Sequence, residues 1–213
     1  MAPRILFLAV LVTLVVGLAP GTASAQALRV RAAVRALPVA AETPDGYDRD
    51  LFKHWVDADH DCQDTREEVL VAESRTPIDG CTVSTGEWFS WYDRETWTQS
   101  SDVDIDHLVP LKEAWDSGAR GWDADTRERY ANDLGDSRAL VAVTDNVNQS
   151  KGDQDVAEWL PEFSTCKYVR QWVAVKLRWG LTIDPAEKAT LRDRARHCRN
   201  RVIHFVPAVP ANG

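Results

Sequence analysis

Four cysteines constrain the fold of this chain more than any other feature of its sequence. They are Cys62, Cys81, Cys166 and Cys198. Their number is even and no pair has the close C-x-x-C spacing of zinc ligands, so in an exported chain they predict two disulfides. Of the three possible connectivities we favour Cys62 with Cys81 and Cys166 with Cys198, because each pair closes a local loop and the two loops flank the central segment.

The first residues predict that the chain is exported. Arg4 precedes an apolar run over residues 5–19, and the small residues 23–25 follow. This is the pattern of a signal peptide, and the run is shorter than the roughly 20 residues that span a bilayer. We therefore predict a signal peptide over 1–25 and a secreted, extracellular protein with no membrane anchor in its mature form.

The remaining sequence predicts one domain with short extensions. About 188 residues follow the predicted cleavage site, enough for a single hydrophobic core. Residues 26–44 are rich in Ala, Val and Arg and end in a Thr-Pro-Asp-Gly turn, so they are interpreted as a flexible leader. The domain is predicted over 45–205 and a tail over 206–213, and we expect a monomer.

Hydrophobic periodicity predicts an α+β fold in which helix exceeds strand. An aromatic-rich segment, 81–98, favours a β-hairpin or an irregular packed segment, and residues 101–109 and 139–144 favour strands. Helices are predicted over 47–56, 64–74, 111–117, 125–134 and, after a polar loop at 145–149, up to residue 159.

The C-terminal part predicts two further helices. In the first, Tyr168, Trp172, Val175 and Trp179 recur at spacings of three and four, and Gly180 ends the helix. The second starts with an Asp-Pro-Ala-Glu sequence over 184–187, which supplies an N-cap, a proline at the first helical position and an acid three residues after the cap.

The charge distribution leaves two readings open. The net charge is −8, which is unusual for a protein that binds phosphates. From Cys166 to Arg201, however, ten Lys/Arg stand against three Asp/Glu. This basic stretch is either a phosphate-facing patch or a solvated helical face. The aromatic cluster in 88–97 also has two readings: it packs in the core, which we favour, or it stacks on bases.

A group of polar residues around the two central strands predicts a metal-assisted hydrolase. Asp106 and His107 end the first of these strands, and Asn148 follows the second. A hard cation takes oxygen ligands such as the Asp106 carboxylate and the Asn148 side-chain carbonyl, while a neutral imidazole can accept a proton from water. Each residue also has a purely structural interpretation. Asp106 and His107 could be a hydrogen-bonded pair on the surface, and Asn148 could be a helix N-cap. The nearby Asp104 could either tune the site or be an exposed strand residue.

These blocks resemble a known family of nucleases. The segments are DIDHLVPLKEAWDSGA, LVAVTDNVNQSKGD, EWLP and WVAVKLRWGLT. Together they are similar to the HNH endonuclease family that includes the C-terminal domain of GmrSD-type restriction endonucleases and many exported bacterial proteins, and they are also similar to the HNH domain of CRISPR effectors. The resemblance covers roughly residues 47 to 200.

The resemblance implies a ββα-metal core with additional helices and two disulfides. By it, His107 matches the general base, Asp106 the carboxylate ligand and Asn148 the amide ligand of one divalent cation, Mg²⁺ or alternatively Mn²⁺, and Lys151 matches a catalytic basic residue near the phosphate. The sequence departs from the pattern at the middle position of the motif. There the family commonly has an Asn, whereas here Ser137 and Arg138 lie near the second strand and Asn132 lies further back.

The predicted function is a secreted, metal-dependent endonuclease that hydrolyses phosphodiesters of nucleic acid, with DNA favoured over RNA. The alternative is an exported module that binds nucleic acid or a cell-surface polymer without turnover. A protease is disfavoured, because the sequence contains no H-E-x-x-H or G-x-S-x-G motif.

Overall fold

A computed structural model describes residues 24–208 of the chain. Within this range six strands form three two-stranded antiparallel sheets, which pair β1 with β6, β2 with β3, and β4 with β5. The strands are β1 (Gln26–Arg29), β2 (Thr85–Phe89), β3 (Thr96–Gln99), β4 (Val103–His107), β5 (Leu140–Thr144) and β6 (Val202–Phe205). The α-helices in the same range are α1 (Val30–Ala36), α2 (Thr65–Glu73), α3 (Leu111–Asp116), α4 (Ala124–Ala131), α5 (Asp145–Lys151), α6 (Thr165–Trp179) and α7 (Pro185–His197). The predicted mixture of helix and strand, with helix exceeding strand, is confirmed.

The prediction of a flexible leader over 26–44 is wrong for its first half. Strand β1 pairs with β6, and helix α1 buries Val30, Ala33 and Val34 in the main core. The buried positions follow the i, i+3, i+4 spacing of an amphipathic helix, which the high content of Ala and Arg concealed. The folded domain therefore begins near residue 26. The predicted signal peptide lies outside the described residues except for positions 24 and 25. The predicted tail lies outside them from residue 209 onward.

Helix α6 forms the centre of the main core, as its sequence predicts. Tyr168, Trp172, Val175 and Trp179 are all buried. The helix ends at Gly180, whose φ of 63° is in the left-handed region that glycine adopts easily. Helix α7 starts as predicted, because the Asp184 side chain accepts a hydrogen bond from the Glu187 N–H at 2.6 Å. No helix within residues 24–208 has the length and apolar character needed to cross a bilayer.

Strands β4 and β5 lie between the main core and a smaller second core. Leu140 and Ala142 of β5 pack into the smaller core, while Val141 and Val143 pack into the main core. This explains the uninterrupted apolar sequence of β5, since a strand buried on both faces needs no polar alternation. The two strands are paired in regular register from Val103 opposite Thr144 to His107 opposite Leu140.

Helix α5 begins earlier and ends earlier than the sequence predicted. It starts at Asp145, directly after β5, where a polar loop was expected, and it ends at Lys151 instead of continuing to residue 159. Gly152 follows with φ of 53°, and the Asp155 side chain then accepts hydrogen bonds from the N–H groups of Ala157 and Glu158, which stabilise a turn. Asn148 is consequently in the middle of a short helix and is not its N-cap.

Other helix boundaries differ from prediction in smaller ways. The helix expected over 47–56 is only a 3-10 turn, Arg49–Leu51. Helix α4 is capped by Asp123, whose side chain accepts from the Thr126 N–H at 2.8 Å, two residues before the predicted start. The predicted aromatic hairpin is confirmed as β2 and β3, and Trp88 within it is anchored by a hydrogen bond from its indole N–H to the Leu70 carbonyl.

Both predicted disulfides are confirmed. Cys62 pairs with Cys81, which joins the segment before α2 to the segment before β2. Cys166 pairs with Cys198, which joins the first turn of α6 to the C-cap of α7. Each bond closes a loop and so restricts the unfolded chain, stabilising the fold by about 2 to 4 kcal/mol per bond.

Candidate active site

A cleft lies where β4 ends and α5 packs on it, and it brings together the residues that the sequence singled out. Its volume is about 190 Å³, and it is named here the β4–α5 cleft. The polar residues that line it are Arg49, Asp106, His107, Asn148, Gln149 and Asp153. Asp106 and His107 both reach it although they are neighbours on a strand, because β4 ends at His107 and the cleft lies at that end. The sequence-predicted Asp, His and Asn therefore share one cleft.

The His107 imidazole is held in one orientation by backbone and aromatic contacts. Its Nε2 lies 2.8 Å from the carbonyl oxygen of Ala131, and the Trp55 ring packs against it with centroids 5.5 Å apart. A carbonyl only accepts hydrogen bonds, so Nε2 carries the proton and Nδ1 keeps a free lone pair. The ring of His54, which the sequence gave no functional context, also approaches it at 6.4 Å.

Burial keeps His107 neutral. Only 7% of the residue is exposed. Loss of solvent is the main cause that lowers the pKa of the imidazole to about 3; the Ala131 carbonyl opposes this shift and the nearby charge of Arg49 adds to it. At neutral pH the side chain is therefore a proton acceptor and not a cation.

The Asp106 carboxylate is held by two buried donors. Tyr92 donates its hydroxyl to Oδ2 at 2.6 Å, and Lys151 donates its ammonium to Oδ1 at 2.6 Å. Burial raises the pKa of Asp106, and the charge of Lys151 opposes that shift. Each carboxylate oxygen has two lone pairs, so both oxygens keep one for another partner.

Lys151 does not lie where the resemblance implied. Its side chain is fully buried, and besides Asp106 its Nζ contacts the carbonyl oxygen of His107 at 2.9 Å. Because α5 starts directly after β5, Lys151 falls in the last turn, where its ammonium reaches the end of β4. The predicted phosphate contact does not fit this burial. Arg49 is the exposed cation that lines the cleft in its place.

Asn148 is oriented by a third acidic residue. Its side-chain amide N–H donates to Oδ2 of Asp104 at 3.2 Å. Asp104 and Asp106 are two residues apart on β4 and so point to the same side of the strand. The bond turns the amide nitrogen of Asn148 toward Asp104, which leaves its carbonyl oxygen as an acceptor for another group.

Asn132 holds the segment that packs against His107 through hydrogen bonds to its backbone. Its amide donates to the carbonyl of Lys53 at 2.8 Å, and its carbonyl oxygen accepts from the N–H of Val56 at 3.2 Å. These bonds fix the segment that presents His54 and Trp55 to His107. Arg138, by contrast, pairs with Asp136 and bonds the carbonyl of His204. Of the three candidates left open for the middle motif position, Asn132 is the one that pins a loop beside the cleft.

Sequence reasoning missed Gln149 and Asp153, which line the cleft, and it also missed Arg49 and Tyr92. Tyr92 stands in an aromatic cluster with no local sign that its hydroxyl faces an acid more than ten residues later in the chain. Arg49 belongs to a segment predicted as a helix of no assigned role. Only the nonlocal packing of these segments against β4 reveals their contacts.

Other groups of acids and another cleft lie elsewhere in the described part of the chain. Ligand atoms of Asp57, Asp59 and Asp61 lie within 4.8 Å of one another, as do those of Glu42, Asp155 and Asp184. A larger cleft of about 540 Å³ is lined in part by Asn132, Arg178 and Trp179. Neither acidic group has a histidine, and the larger cleft contains none of the residues predicted as general base, metal ligand or phosphate contact.

Fold and cleft together define a disulfide-linked, mixed α/β domain with a buried acid, a neutral imidazole and an amide around one opening. Residues 65–194 match the family model described as GmrSD restriction endonucleases, C-terminal domain. The chain therefore belongs to this family of restriction endonuclease domains.

A relative of similar length supports an extracellular location. The chain is 44% identical over 184 residues, 84% of this chain and 87% of the other, to a protein of Arthroderma benhamiae described as an uncharacterized secreted protein. With the two disulfides, this confirms the predicted secretion. That relative is fungal, so it gives no support to a bacterial origin. No solved structure matches the chain.

Proposed function

We propose that the protein is a secreted endonuclease that hydrolyses nucleic-acid phosphodiesters in the β4–α5 cleft. One observation carries the proposal: His107, Asp106 and Asn148, chosen from the sequence before any geometry, line the same opening. Membership in a family of restriction endonuclease domains supports a nucleic-acid substrate. The proposal takes DNA as the preferred substrate over RNA.

The antiparallel pair β4 and β5 followed directly by α5 is the arrangement expected of a ββα-metal core. Its donors suit a hard divalent cation such as Mg²⁺, or Mn²⁺, because both are oxygens: the Asp106 carboxylate and the Asn148 amide carbonyl. A cation bound there would stabilise the negative charge that develops on the phosphate and on the leaving oxygen. Two protein ligands leave room for water and phosphate oxygens, since Mg²⁺ usually retains several waters.

In this proposal His107 is the general base. Its Nδ1 takes a proton from a water molecule in the cleft, the resulting hydroxide oxygen bonds to phosphorus, and the bond from phosphorus to the leaving oxygen breaks. The Ala131 carbonyl fixes the tautomer that makes Nδ1 the acceptor. A phosphodiester entering the cleft adds negative charge beside the imidazole, which raises its low pKa and makes it a stronger base.

Arg49 and Lys151 take separate parts in the proposed reaction. Arg49 is exposed in the cleft and binds the phosphate electrostatically. Lys151 is a positioning residue, because its buried ammonium holds both the Asp106 carboxylate and the His107 carbonyl. The resemblance implied that Lys151 contacts the phosphate. The burial of its side chain favours the role of a positioning residue instead.

The decisive test replaces the proposed base. Mature protein is incubated with supercoiled plasmid or with RNA, in Mg²⁺, in Mn²⁺ or in EDTA, and compared with His107→Ala. We expect metal-dependent nicking that falls about 10²- to 10⁴-fold in the variant, the usual contribution of a general base.

His197→Ala is the matched control, since this exposed histidine on α7 contacts only the carbonyl and carboxylate of Asp193. It should cut like the unchanged protein. Full activity in His107→Ala would contradict the assignment of the base. Binding of nucleic acid without cleavage in any metal would favour the alternative, an exported binding module.

A further inference from the structure

Two short rows of arginine side chains face each other across helices α1 and α7. Arg31 and Arg35 are four residues apart on α1, and Arg192 and Arg196 are four residues apart on α7. Residues with this spacing lie on one side of a helix. All four line a single shallow cleft of about 140 Å³, and they are named here the arginine face.

The two helices are locked together by reciprocal bonds to their last carbonyls. The Arg31 guanidinium donates to the carbonyls of Ala195 and Arg196 near the end of α7, each at 3.0 Å. Lys188 of α7 donates in turn to the carbonyls of Val34 and Leu37 at the end of α1, at 2.7 and 3.0 Å. The arginine rows therefore stand on a rigid support.

Three of the four guanidinium groups have no partner of opposite charge. Arg35, Arg192 and Arg196 are exposed, and among residues 24–208 none of them makes a side-chain hydrogen bond or ion pair. Burial lowers the pKa of the neighbouring Lys188, and the charge of Arg192 adds to that shift. The chain as a whole has an excess of acids, with 33 Asp/Glu against 25 Lys/Arg.

Uncompensated arginines on a rigid surface of an acidic protein indicate an anionic partner. We propose that the arginine face binds the phosphodiester backbone of nucleic acid outside the β4–α5 cleft and so holds the substrate during cleavage. The identity of the polyanion rests on the proposed nuclease function, whereas the anionic chemistry rests on the arginines themselves. Guanidinium forks pair well with phosphate oxygens, which makes the backbone the fitting target.

The cleft between α1 and α7 is lined by arginines and by the small apolar residues Val34 and Ala195. It offers no aromatic ring on which a base could stack and no acid or amide to read a base edge. Binding should therefore be independent of sequence and strongly weakened by salt.

The test uses the secreted chain carrying His107→Ala, so that substrate is bound and not cut. Binding of a fluorescent 20-base-pair duplex is measured from 0.05 to 0.3 M NaCl with and without Arg35→Gln, Arg192→Gln and Arg196→Gln together. Loss of three phosphate contacts should weaken binding about tenfold or more and reduce the slope of log affinity against log salt by about 2.7. Arg31 is left unchanged because it holds the helices together.

The matched control removes the same charge from other exposed positions, Arg75, Arg94 and Arg120, each changed to Gln. It should bind within twofold of the parent, and thermal unfolding checks that both triple variants fold. In the cutting-competent chain, the arginine-face variant should raise KM with little change in kcat, since it removes binding that is equal in ground and transition states.

The outcomes separate this inference from the proposed function. Equal binding by the arginine-face variant and its parent would overturn the inference, even if the protein cuts DNA as proposed. An equal loss in both triple variants would also overturn it, because the effect would then follow net charge alone. Selective weakening in a chain that never cuts would support the arginine face while contradicting the nuclease assignment.

Discussion

Two lysines of this protein are completely buried, and they differ in the number of carboxylates with which they pair. Lys151 and Lys176 each have 0% exposure. Lys151 pairs with one carboxylate, that of Asp106, at the edge of the β4–α5 cleft. Lys176 pairs with two, those of Glu113 and Glu187, at 2.5 and 2.7 Å.

The Lys176 cluster links three helices, and its charged residues line none of the clefts described above. Its Nζ also bonds the hydroxyl of Ser117 and the carbonyl of Thr182, so every proton of the ammonium is used inside the protein. The Lys151 cluster instead holds a carboxylate that lines an open cleft. Because a buried ion pair seldom stabilises a fold more than apolar packing would, its position beside a cleft suggests a use other than stability.

The two clusters reach a neutral charge in different ways. Lys151 and Asp106 neutralise each other, whereas Lys176 stands between two acids. Burial raises the pKa of Glu187 to about 8, with Glu113 adding to the shift and Lys176 opposing it. One carboxyl of the second cluster is therefore protonated at neutral pH, which makes that cluster neutral too.

The largest effect is expected from Lys151→Met. Removing one partner of a buried pair leaves the other charge uncompensated, which lowers the free energy of unfolding by about 3 to 5 kcal/mol. Activity should fall as well, by about 100-fold, because Asp106 and the His107 carbonyl lose their common support. Urea unfolding and plasmid nicking measure the two effects separately.

The double variant Lys151→Met with Asp106→Asn is the control for this prediction. It removes both buried charges and should recover most of the stability while nicking stays low. Recovery of both properties would show that Lys151 acts on the fold alone and that the comparison between the clusters fails.

Lys176→Met should affect stability only. It leaves two acids facing each other without a cation, so the free energy of unfolding should again fall by about 3 to 5 kcal/mol. Nicking per folded molecule, measured at low temperature, should stay within about twofold, since none of the charged residues of this cluster lines the β4–α5 cleft.

The control combines Lys176→Met with Glu113→Gln and Glu187→Gln. This chain should regain stability and keep its activity, in contrast to the Lys151 pair. A loss of nicking in the folded triple variant would mean that the Lys176 cluster also supports the β4–α5 cleft.

The sequence predicted those parts of the fold that local signals determine. The α6 stripe, the Asp184 cap and the apolar β5 are encoded within a few residues of where they act, and the even cysteine count restricted the disulfides to three pairings. The pairing of β1 with β6 joins residues near both ends of the domain, and the local sequence of neither strand predicts this pairing.

The candidate site divides in the same way. Its Asp106, His107 and Asn148 were found because they stand in recognisable blocks. The burial of Lys151, the hydroxyl of Tyr92 and the loop held by Asn132 depend on distant segments packing on β4. The chemistry of the site was thus readable from sequence, whereas the side chains that orient it were not.

Glu187 predicts a pH dependence of stability that arises in the Lys176 cluster. Its folded pKa of about 8 lies above its ordinary value of 4.5, so the folded protein binds a proton that the unfolded chain has released. Its contribution to stability is complete below pH 4.5 and is lost as the pH rises through 8, by about 1.4 kcal/mol per pH unit between them. Glu187→Gln should flatten this part of the profile, as measured by urea unfolding from pH 5 to 9. An unchanged slope in the variant would assign the proton to another group.

The smallest effect is expected from Tyr92, the aromatic residue that donates a hydrogen bond to Asp106 in the Lys151 cluster. Tyr92→Phe removes the hydroxyl bonded to Oδ2 of Asp106 and keeps the ring in the core, so stability should fall by about 1.5 to 3 kcal/mol, the usual range for a bond to a charged group. Trp172 is the matching donor of the other cluster, since its indole N–H bonds Glu187. Tyr92→Phe should lower kcat several-fold with KM nearly constant, because Asp106 keeps Lys151 but loses one of its two fixed directions. Trp172→Phe should lower stability without moving kcat. If both variants changed kcat alike, the reaction would respond to general loosening of the core and not to the orientation of Asp106.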